Sequence, residues 1–354
     1  MSRFFSQKYK NLVPYTPGEQ PKDTQYIKLN TNESPFPPSE RAMINALEES
    51  RLLQLYPDPE CRALTEKVAK MCGVSYENVL MTNGSDEILN FAFMAFCDND
   101  HPAAFPDISY GFYSVFAELN NVPYTEIPLK DDFSIDIEDY KNINKTIFIA
   151  NPNAPTGITL SLQQIEDILI ANPNNVVVID EAYVDFGGES CIPLTKKYDN
   201  LLVCQTFSKS RSMAGARLGF GVGNKDLISD LNTVKYSTNP YNINRMTMAA
   251  GLGVLSDDVY TKTNCEIIQE NRENASKKLK EMGFVLTDSK ANFIFAKHPK
   301  IDGKTIYEKL KQKGILVRHF SKPRISDYIR ITVGTKEQMT ALIFALSKLL
   351  EEQK

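Results

Sequence analysis

One lysine of this sequence is placed to act as a nucleophile. Lys209 lies within TFSKS, directly after the apolar run 201–206, and Arg217 follows eight residues later. Burial at the end of a strand lowers the pKa of an amine, which frees the amine to attack a carbonyl group. Ser208 and Arg217 offer hydrogen bonds to an oxyanion beside that amine. The simpler alternative is a pair of solvated surface cations, the usual fate of both residue types.

Two more polar clusters follow apolar runs. Asp180 ends the run 176–180, and Tyr183 stands three positions later. A carboxylate at the end of an all-apolar strand needs a partner, and a buried cation would supply one. Asn151 opens the sequence NPNAPTG, in which two prolines and a glycine predict a rigid turn that presents the amide at a fixed point. A helix cap at Asp180 and a purely structural loop at Asn151 are the alternatives.

A fourth cluster, Asn83-Gly84-Ser85-Asp86, precedes a predicted helix. A glycine and a hydroxyl residue at a helix N-terminus leave backbone N–H groups free at the positive end of the helix dipole. This arrangement suits a phosphate group, although the same residue types also cap helices that bind nothing. Taken alone, the cluster favours simple helix capping, and Gly84, Ser85 and Asp86 are candidate phosphate contacts only in combination with the other clusters.

The elements that must position these clusters are strands of one sheet. Four short apolar runs predict buried strands, and each polar cluster directly follows one of them: 79–82, 146–151, 176–180 and 201–206. Helical patterns include those at 86–97 and 162–171. Alternating strands and helices predict an α/β fold with a mostly parallel sheet, which brings such clusters together at the carboxyl ends of its strands.

The last part of the chain predicts a smaller α+β unit. Its expected elements are a long helical stretch from about 244 to 282, a strand at 292–296, a helix at 303–313, strands at 315–319 and 328–333, and an amphipathic helix from 336. The first thirty residues are rich in proline, glycine, tyrosine and charge, and predict an irregular arm. We therefore expect an N-terminal arm at 1–28, a large α/β domain at 29–248 and a small C-terminal domain at 249–354.

Composition narrows the classes of partner. The net charge of -4 gives no electrostatic reason to expect nucleic acid or an anionic membrane. No apolar run is long enough to cross a bilayer, and the N-terminus lacks the apolar core of a signal peptide. Six cysteines without a CxxC pair fit free thiols in a reducing cytoplasm. Three widely separated histidines argue against a His-based metal site, so we expect no metal.

Taken in order, NPNAPTG, VVVIDEAY and TFSKS with its following arginine resemble the fold-type I, class I and II aminotransferases that depend on pyridoxal 5'-phosphate. The resemblance covers nearly the whole chain. The segments PYTPG, LNTNESP, YPDP, VRHF and YIRITVG narrow it to the histidinol-phosphate aminotransferase branch. The resemblance implies a large domain with a mostly parallel sheet, a smaller α+β C-terminal domain, and pyridoxal 5'-phosphate as cofactor.

The resemblance also implies roles for the residues around the cofactor. Lys209 would hold it as a Schiff base and later move a proton to and from the substrate. Asp180 would pair with the pyridinium nitrogen, which keeps the ring an electron sink. Asn151 and Tyr183 would bond its phenolic oxygen, and Tyr110 would stack on the ring.

The anions have implied contacts of their own. The cofactor phosphate would be held by Gly84, Ser85, Asp86, Ser208 and Arg217. The resemblance also implies a homodimer with shared active sites, in which Tyr56 of the other subunit reaches the same phosphate. Arg330 would hold the substrate carboxylate, and Arg318 with Tyr15 would hold a substrate phosphate. Asn32 is a further implied substrate contact. Bidentate arginine recognition suits both anions.

The branch implies a specific reaction between a small-molecule amino donor and a 2-oxo acid. L-Histidinol phosphate and 2-oxoglutarate would give imidazole acetol phosphate and L-glutamate, a step of histidine biosynthesis. An aromatic amino-acid aminotransferase and a phosphoamino-acid decarboxylase on the same scaffold are the alternatives. Two departures from the branch bear on the pocket: Ala154 stands where asparagine is common, and Ser210-Arg211-Ser212 replaces small and aromatic residues.

Overall fold

Short β-branched and aliphatic segments form three sheets. The computed structural model of the chain describes residues 2–21 and 25–352. Its strands are β1 (Ile27–Lys28), β2 (Val79–Thr82), β3 (Ala103–Pro106), β4 (Tyr124–Ile127), β5 (Thr146–Ala150), β6 (Val177–Asp180), β7 (Leu201–Thr206), β8 (Gly219–Gly223), β9 (Val285–Leu286), β10 (Phe293–Lys297), β11 (Ile315–Leu316), β12 (Arg318–His319) and β13 (Tyr328–Thr332).

Amphipathic helices cover these sheets. They are α1 (Glu40–Glu49), α2 (Arg62–Cys72), α3 (Ser85–Phe96), α4 (Phe112–Asn120), α5 (Leu162–Ala171), α6 (Lys225–Thr238), α7 (Arg245–Val254), α8 (Asp258–Glu281), α9 (Gly303–Gln312) and α10 (Lys336–Glu351). Among the residues that the structure describes, no helix is both long and apolar enough to span a membrane.

The largest sheet has seven strands in the order β2-β8-β7-β6-β5-β3-β4. Strands β7, β6, β5, β3 and β4 pair in parallel, and β8 runs antiparallel to both of its neighbours. The mostly parallel sheet that the alternating pattern predicts is therefore confirmed. Alternate side chains enter the cores on the two faces: Ile147 and Ile149 lie on one side and Phe148 on the other. Burial on both faces explains the unbroken apolar runs.

The four predicted strands of this sheet are present, two of them one residue shorter than expected. Three others, β3, β4 and β8, were not expected. Strand β8 has the sequence GFGVG, and a Cβ at Gly221 would lie 1.9 Å from Ile88 Cδ1 of α3. Glycine therefore allows α3 to pack directly on this strand. Because glycines occupy these positions, the sequence lacks the β-branched residues that usually indicate a strand.

The long helical stretch expected at 244–282 is two helices, and the single helix was a wrong expectation. Helix α7 ends at Val254, and α8 begins at Asp258. Asp257 accepts a hydrogen bond from the backbone N–H of Tyr260 and so caps α8. Serine and aspartate compete with helical backbone bonds and favour such caps, which explains the break at Ser256 and Asp257.

The second sheet is antiparallel, with the order β12-β13-β10-β9, and α8, α9 and α10 contribute to its core. The strand expected at 315–319 is divided, because β11 pairs with β1 while β12 pairs with β13. This pairing sets Arg318 directly opposite Arg330. The predicted domain boundary at residue 248 falls inside α7, and the division into 29–248 and 249–354 stays a prediction.

Candidate active site

Residues from the four polar clusters meet at the carboxyl ends of β5, β6 and β7. They enclose a cavity of about 110 Å³. It is lined by Ser85, Asp86, Tyr110, Ala150, Ala154, Asp180, Ala182, Tyr183, Thr206, Ser208, Lys209 and Arg217. A larger cavity of about 340 Å³ adjoins it and shares Tyr110, Ala154, Tyr183 and Lys209. The predicted convergence is therefore present, and Lys209 lies where the two cavities meet.

Lys209 has few partners in this position. Its Nζ lies 3.4 Å from the carbonyl oxygen of Thr31 and 5.6 Å from the centre of the Tyr183 ring. Within residues 2–21 and 25–352, no carboxylate forms an ion pair with it. An amine that is partly buried and unpaired is available to a carbonyl ligand in the cavity.

Asp180 is a buried acid without a cation. The side chain is 5% exposed at the end of β6. It accepts a hydrogen bond from the Ala182 backbone N–H at 3.1 Å and a longer one from Tyr113 Oη at 3.4 Å. Burial raises the pKa of Asp180 to about 7, and the charge of Asp86 adds to that rise. A cationic ligand group in the cavity would offset this cost.

The N-terminus of α3 forms a cradle of backbone. Gly84 has a φ of 78°, and no side chain caps the helix. A Cβ at Gly84 would lie 2.6 Å from Arg217 Nη2, and one at Gly219 would lie 2.6 Å from the backbone nitrogen of Ser85. Only glycine fits at both positions, so bare backbone N–H groups lie beside a guanidinium. This is the chemistry of a phosphate site.

Side chains complete this end of the cavity. Arg217 pairs with Asp86 Oδ2 at 2.9 Å and reaches Ser208 Oγ at 3.4 Å. Tyr110 donates to the other Asp86 oxygen at 2.6 Å. Burial, followed by the charge of Asp86, raises the pKa of Tyr110 well above its ordinary value, so its hydroxyl stays protonated. The Asp86–Tyr110 bond fixes the tyrosine ring against the cavity.

Asn151 lines neither cavity, and its expected bond with a ligand stays a prediction. Its Oδ1 accepts from the Leu160 backbone N–H at 2.8 Å, and its Nδ2 donates to the Leu160 carbonyl oxygen at 3.2 Å. The amide thus closes its own turn. Ala154, three residues further along the turn, lines both cavities instead. Ser210 and Arg211, which belong to the other departure from the branch, line neither cavity, and both bond Asp185.

Two arginines lie opposite each other beside the larger cavity. Arg318 and Arg330 are cross-strand partners, and both line this cavity with Tyr15. Neither pairs with a carboxylate of the described residues; their hydrogen bonds go to backbone carbonyls of the N-terminal segment. Arg330 Nε is buried without a partner, and burial lowers the pKa of Arg330. Like charges placed directly opposite destabilise a sheet unless an anion joins them.

The remaining predicted residues divide between the two cavities and the surface. Asn32 lines the larger cavity and donates to Tyr183 Oη at 3.0 Å. Tyr56 lies outside both cavities and is 79% exposed. Its ring stacks on Tyr241 at 4.7 Å, and Arg245 bonds its carbonyl oxygen. A surface tyrosine held in this way serves the site only if another molecule approaches it.

Two residues that contact the site, Tyr113 and Thr332, were not predicted from the sequence. Tyr113 bonds Asp180 and lies one helical turn after Tyr110, so a 3.6-residue period would have identified it. Thr332 bonds Asn32 and lies two positions after Arg330 on β13. Strand alternation places Thr332 and Arg330 on the same face, a signal that was present in YIRITVG. The described residues hold no cluster of three or more His, Cys, Asp or Glu arranged for a metal ion.

Comparisons with known proteins point to one family. Residues 24–346 match the family described as aminotransferase class I and II. The chain is 53% identical over 346 residues to a histidinol-phosphate aminotransferase of Brachyspira hyodysenteriae, with 97% of this chain and 98% of the relative covered. It is 47% identical over 350 residues to one of Acinetobacter baumannii, with 98% and 97% covered.

A solved structure shares the fold. It is the histidinol-phosphate aminotransferase of Sinorhizobium meliloti in complex with pyridoxal-5'-phosphate. The TM-score is 0.90 at 21% identity, with 100% of this chain and 99% of that chain covered.

Asp180→Asn should stabilise the ligand-free protein at alkaline pH. A carboxyl pKa raised to about 7 means that the folded protein holds the proton more tightly than the unfolded chain. Its stability therefore falls as the pH rises from about 4 to about 7, and the loss is complete above that range. The neutral amide avoids this loss, with an expected gain on the order of 1 kcal/mol or more at pH 8.

Urea unfolding of both proteins at pH 4.5 and pH 8 measures the effect. The exposed Asp139→Asn variant is the matched control and should show no such pH-dependent gain. Equal stability of Asp180→Asn and the unaltered protein at pH 8 would contradict the buried-charge interpretation.

Proposed function

The chain belongs to the class I and II aminotransferase family, and on that premise we propose that it converts L-histidinol phosphate and 2-oxoglutarate into imidazole acetol phosphate and L-glutamate. The observation that carries this proposal is the Arg318–Arg330 pair beside Lys209. Histidinol phosphate brings a phosphate and no carboxylate, whereas glutamate brings two carboxylates. One pocket must hold these anions in turn, and two opposed arginines without acid partners suit that task.

The smaller cavity fits pyridoxal 5'-phosphate, the cofactor of this family. Asp180 is a buried acid in need of a cation, Lys209 is an unpaired amine, and Gly84 with Ser85 begins an uncapped helix. These three groups match a pyridinium nitrogen, an aldehyde and a phosphate. When bound, the cofactor supplies an electron-withdrawing ring that makes the substrate Cα–H acidic.

Each of these residues then has a proposed task. Lys209 Nζ would hold the cofactor through its aldehyde carbon, and as a free amine it would take the proton from the substrate Cα. Asp180 keeps a proton on the pyridine nitrogen, since an ion pair there relieves the cost of its own burial. Tyr110 lines the smaller cavity and would exclude water from the cofactor there. Ser208, Arg217 and the backbone at Ser85 hold the phosphate.

The substrate contacts follow from the larger cavity. We infer that Arg330 binds the α-carboxylate of glutamate, because it is the more deeply placed of the two arginines and stacks over Phe293 and Phe320. Arg318 and Tyr15 bind the distal anion, which is the phosphate of one substrate and the γ-carboxylate of the other. Burial raises the pKa of Tyr15 although both arginines oppose that rise, so Tyr15 remains a donor.

We also propose a homodimer in which Tyr56 completes the cofactor site of the other subunit. An exposed apolar surface lies directly before Tyr56 and comprises Met43, Ile44, Leu47, Leu52, Leu53 and Leu55, each at least 39% exposed. Contiguous apolar patches of this kind mark protein interfaces. All six cysteines are free, four of them buried, which supports the proposal of a reducing cytoplasmic location.

Borohydride reduction of the cofactor-loaded enzyme should fix a pyridoxyl group to Lys209. Peptide mapping reads the position directly, and Lys209→Ala should remove both the label and transamination while the fold persists. Lys235 is the internal control, because it is a buried lysine whose Nζ bonds the Pro59 carbonyl oxygen rather than a cavity group. A label on Lys235, or on any lysine other than Lys209, would overturn the assignment.

Arg318→Ala should separate anionic from uncharged side chains among amino donors. Losing one charged hydrogen-bond partner lowers kcat/KM by roughly one to two decades. We expect that loss with histidinol phosphate and with glutamate, and little change with phenylalanine. Half-reactions of the yellow enzyme with the three donors, followed by absorbance, give the comparison, and Lys304→Ala controls for loss of an exposed cation on α9.

The same measurement tests the proposed substrate. Equal losses for all three donors, or no loss for any, would show that Arg318 does not bind the distal anion. Phenylalanine as the best donor of the unaltered enzyme would replace histidinol phosphate by the aromatic alternative. Loss of carbon dioxide from a phosphoamino acid, without transamination, would favour the decarboxylase.

Mixing two inactive variants should restore activity if the sites are shared. Lys209→Ala lacks the amine, and Tyr56→Ala lacks the contact from the other subunit. A hybrid dimer then contains one intact site, so activity should return after subunit exchange. Mixing Lys209→Ala with Asp180→Asn is the control, because both changes fall in the same subunit's half of a site and leave none intact. No recovery after verified exchange would contradict a shared site.

A further inference from the structure

We propose that Thr332 and Asn32 are positioning residues that force the Tyr183 hydroxyl to donate its proton into the cavity at Lys209. The inference rests on the proposed cofactor site and deepens it. Thr332 belongs to β13 of the antiparallel sheet, whereas Tyr183 follows β6 of the parallel sheet. Asn32 lies between them, and the three side chains form one buried hydrogen-bonded chain.

Thr332 sets which atom donates and which accepts in each of these hydrogen bonds. Its Oγ1 accepts the backbone N–H of Asn32 at 2.9 Å and lies 3.0 Å from Asn32 Oδ1. An amide oxygen only accepts, so the threonine hydroxyl donates to it. With the amide reversed, the hydroxyl proton of Thr332 would have no other acceptor among the described residues. A buried hydroxyl left in that state is unfavourable, so the amide orientation is fixed.

Asn32 passes this direction on to Tyr183. Its Nδ2, which can only donate, lies 3.0 Å from Tyr183 Oη. The tyrosine oxygen therefore accepts from Asn32, and its own proton is left to point elsewhere. Asn292 Nδ2 donates to the Asn32 carbonyl oxygen at 3.0 Å and anchors the backbone at its φ of 55°. Tyr183 lines both cavities, and Lys209 Nζ lies over its ring.

No neighbouring group duplicates this donor. Position 154 carries a methyl group, and Asn151, whose amide bonds Leu160, lines neither cavity. Of the other hydroxyl groups that line the smaller cavity, Tyr110 donates to Asp86, and Thr206 donates to the Leu218 carbonyl oxygen. Ser85 and Ser208 lie at the other end of the cavity, beside Arg217, where we propose that the phosphate binds. Tyr183 is thus the hydroxyl donor left for the cofactor's ring oxygen next to Lys209. Its orientation matters more than it would with an amide at position 154.

The hydrogen bonds through Asn32 also connect the Tyr183 hydroxyl to β13, the strand that carries Arg330. Thr332 is two residues from Arg330, and the two side chains lie on one face of β13. A shift of β13 on anion binding would therefore act on the Asn32 amide. The ionisable groups that face the same space are Asp86, Tyr110, Asp180, Tyr183, Lys209 and Arg217 in the smaller cavity, and Tyr15, Asp107, Glu126, Arg318, Lys322 and Arg330 in the larger one.

Thr332→Val in the cofactor-loaded enzyme is the direct test. Valine keeps the shape and removes both bonds to Asn32. A donor at the ring oxygen stabilises negative charge there, which favours loss of the proton from the adjacent Lys209 nitrogen. Weakening the donor should therefore raise the pH midpoint of the visible absorption change, by roughly 1 unit. Thr332→Ser should restore the midpoint of the unaltered enzyme, because serine keeps the hydroxyl.

Thr146→Val is the matched control. It deletes another buried threonine hydroxyl, which donates to the Phe96 carbonyl oxygen far from the cavities, and should leave the midpoint unchanged. Asn32→Gly is a second variant, because glycine accepts the positive φ and removes the amide. It should raise the midpoint in the same direction even if Thr332→Val does not fold.

A double-mutant cycle decides whether Thr332 acts through Tyr183. Tyr183→Phe removes the donor itself, so adding Thr332→Val to it should produce no further shift. An additional shift in that background, or an unchanged midpoint in both Thr332→Val and Asn32→Gly, would overturn the inference. Failure of the unaltered protein to form any visible band with pyridoxal phosphate would instead refute the proposed function, so the two outcomes are distinguishable.

Discussion

The site depends on a carboxyl group buried without a cation. Asp180 lies at the end of a strand whose every residue is buried, and the protein offers it one backbone N–H and a long bond from Tyr113. Ionisation in that place is unfavourable until a ligand brings positive charge. The ligand-free protein therefore carries an electrostatic cost that a pyridinium ring relieves, and part of the affinity for the cofactor arises from removing it.

Around that acid, the two sheets contribute different parts of the chemistry. The mostly parallel sheet fixes the groups that hold a cofactor, because six of its seven strands run in one direction and end at one edge. The antiparallel sheet fixes the groups that hold a substrate anion, because strands β12 and β13 set two arginines side by side. The segment from Asn30 to Asn32 contacts both sets through Arg330, Lys209 and Tyr183.

Apolar runs were enough to predict the strands that lead to Asp180 and Lys209, because a strand buried on both faces is mostly apolar. Strand β8 escaped that rule, since its glycines were selected for the approach of α3 and of the Gly84 loop. The turn after β5 shows another limit. NPNAPTG contains two positions able to face a ligand, and only the folded turn reveals that Asn151 bonds Leu160 while Ala154 lines the cavities. Direction within a turn depends on tertiary contacts that local sequence does not encode.

The opposed arginines have a consequence for the solution around the enzyme. A pair of guanidinium groups that finds no carboxylate within the described protein will take one from the medium, and small oxyanions such as sulfate or inorganic phosphate have the matching geometry. Each such ion occupies the place of a substrate anion and acts as a competitive inhibitor. The apparent KM for a phosphorylated donor is then a property of the buffer as well as of the enzyme.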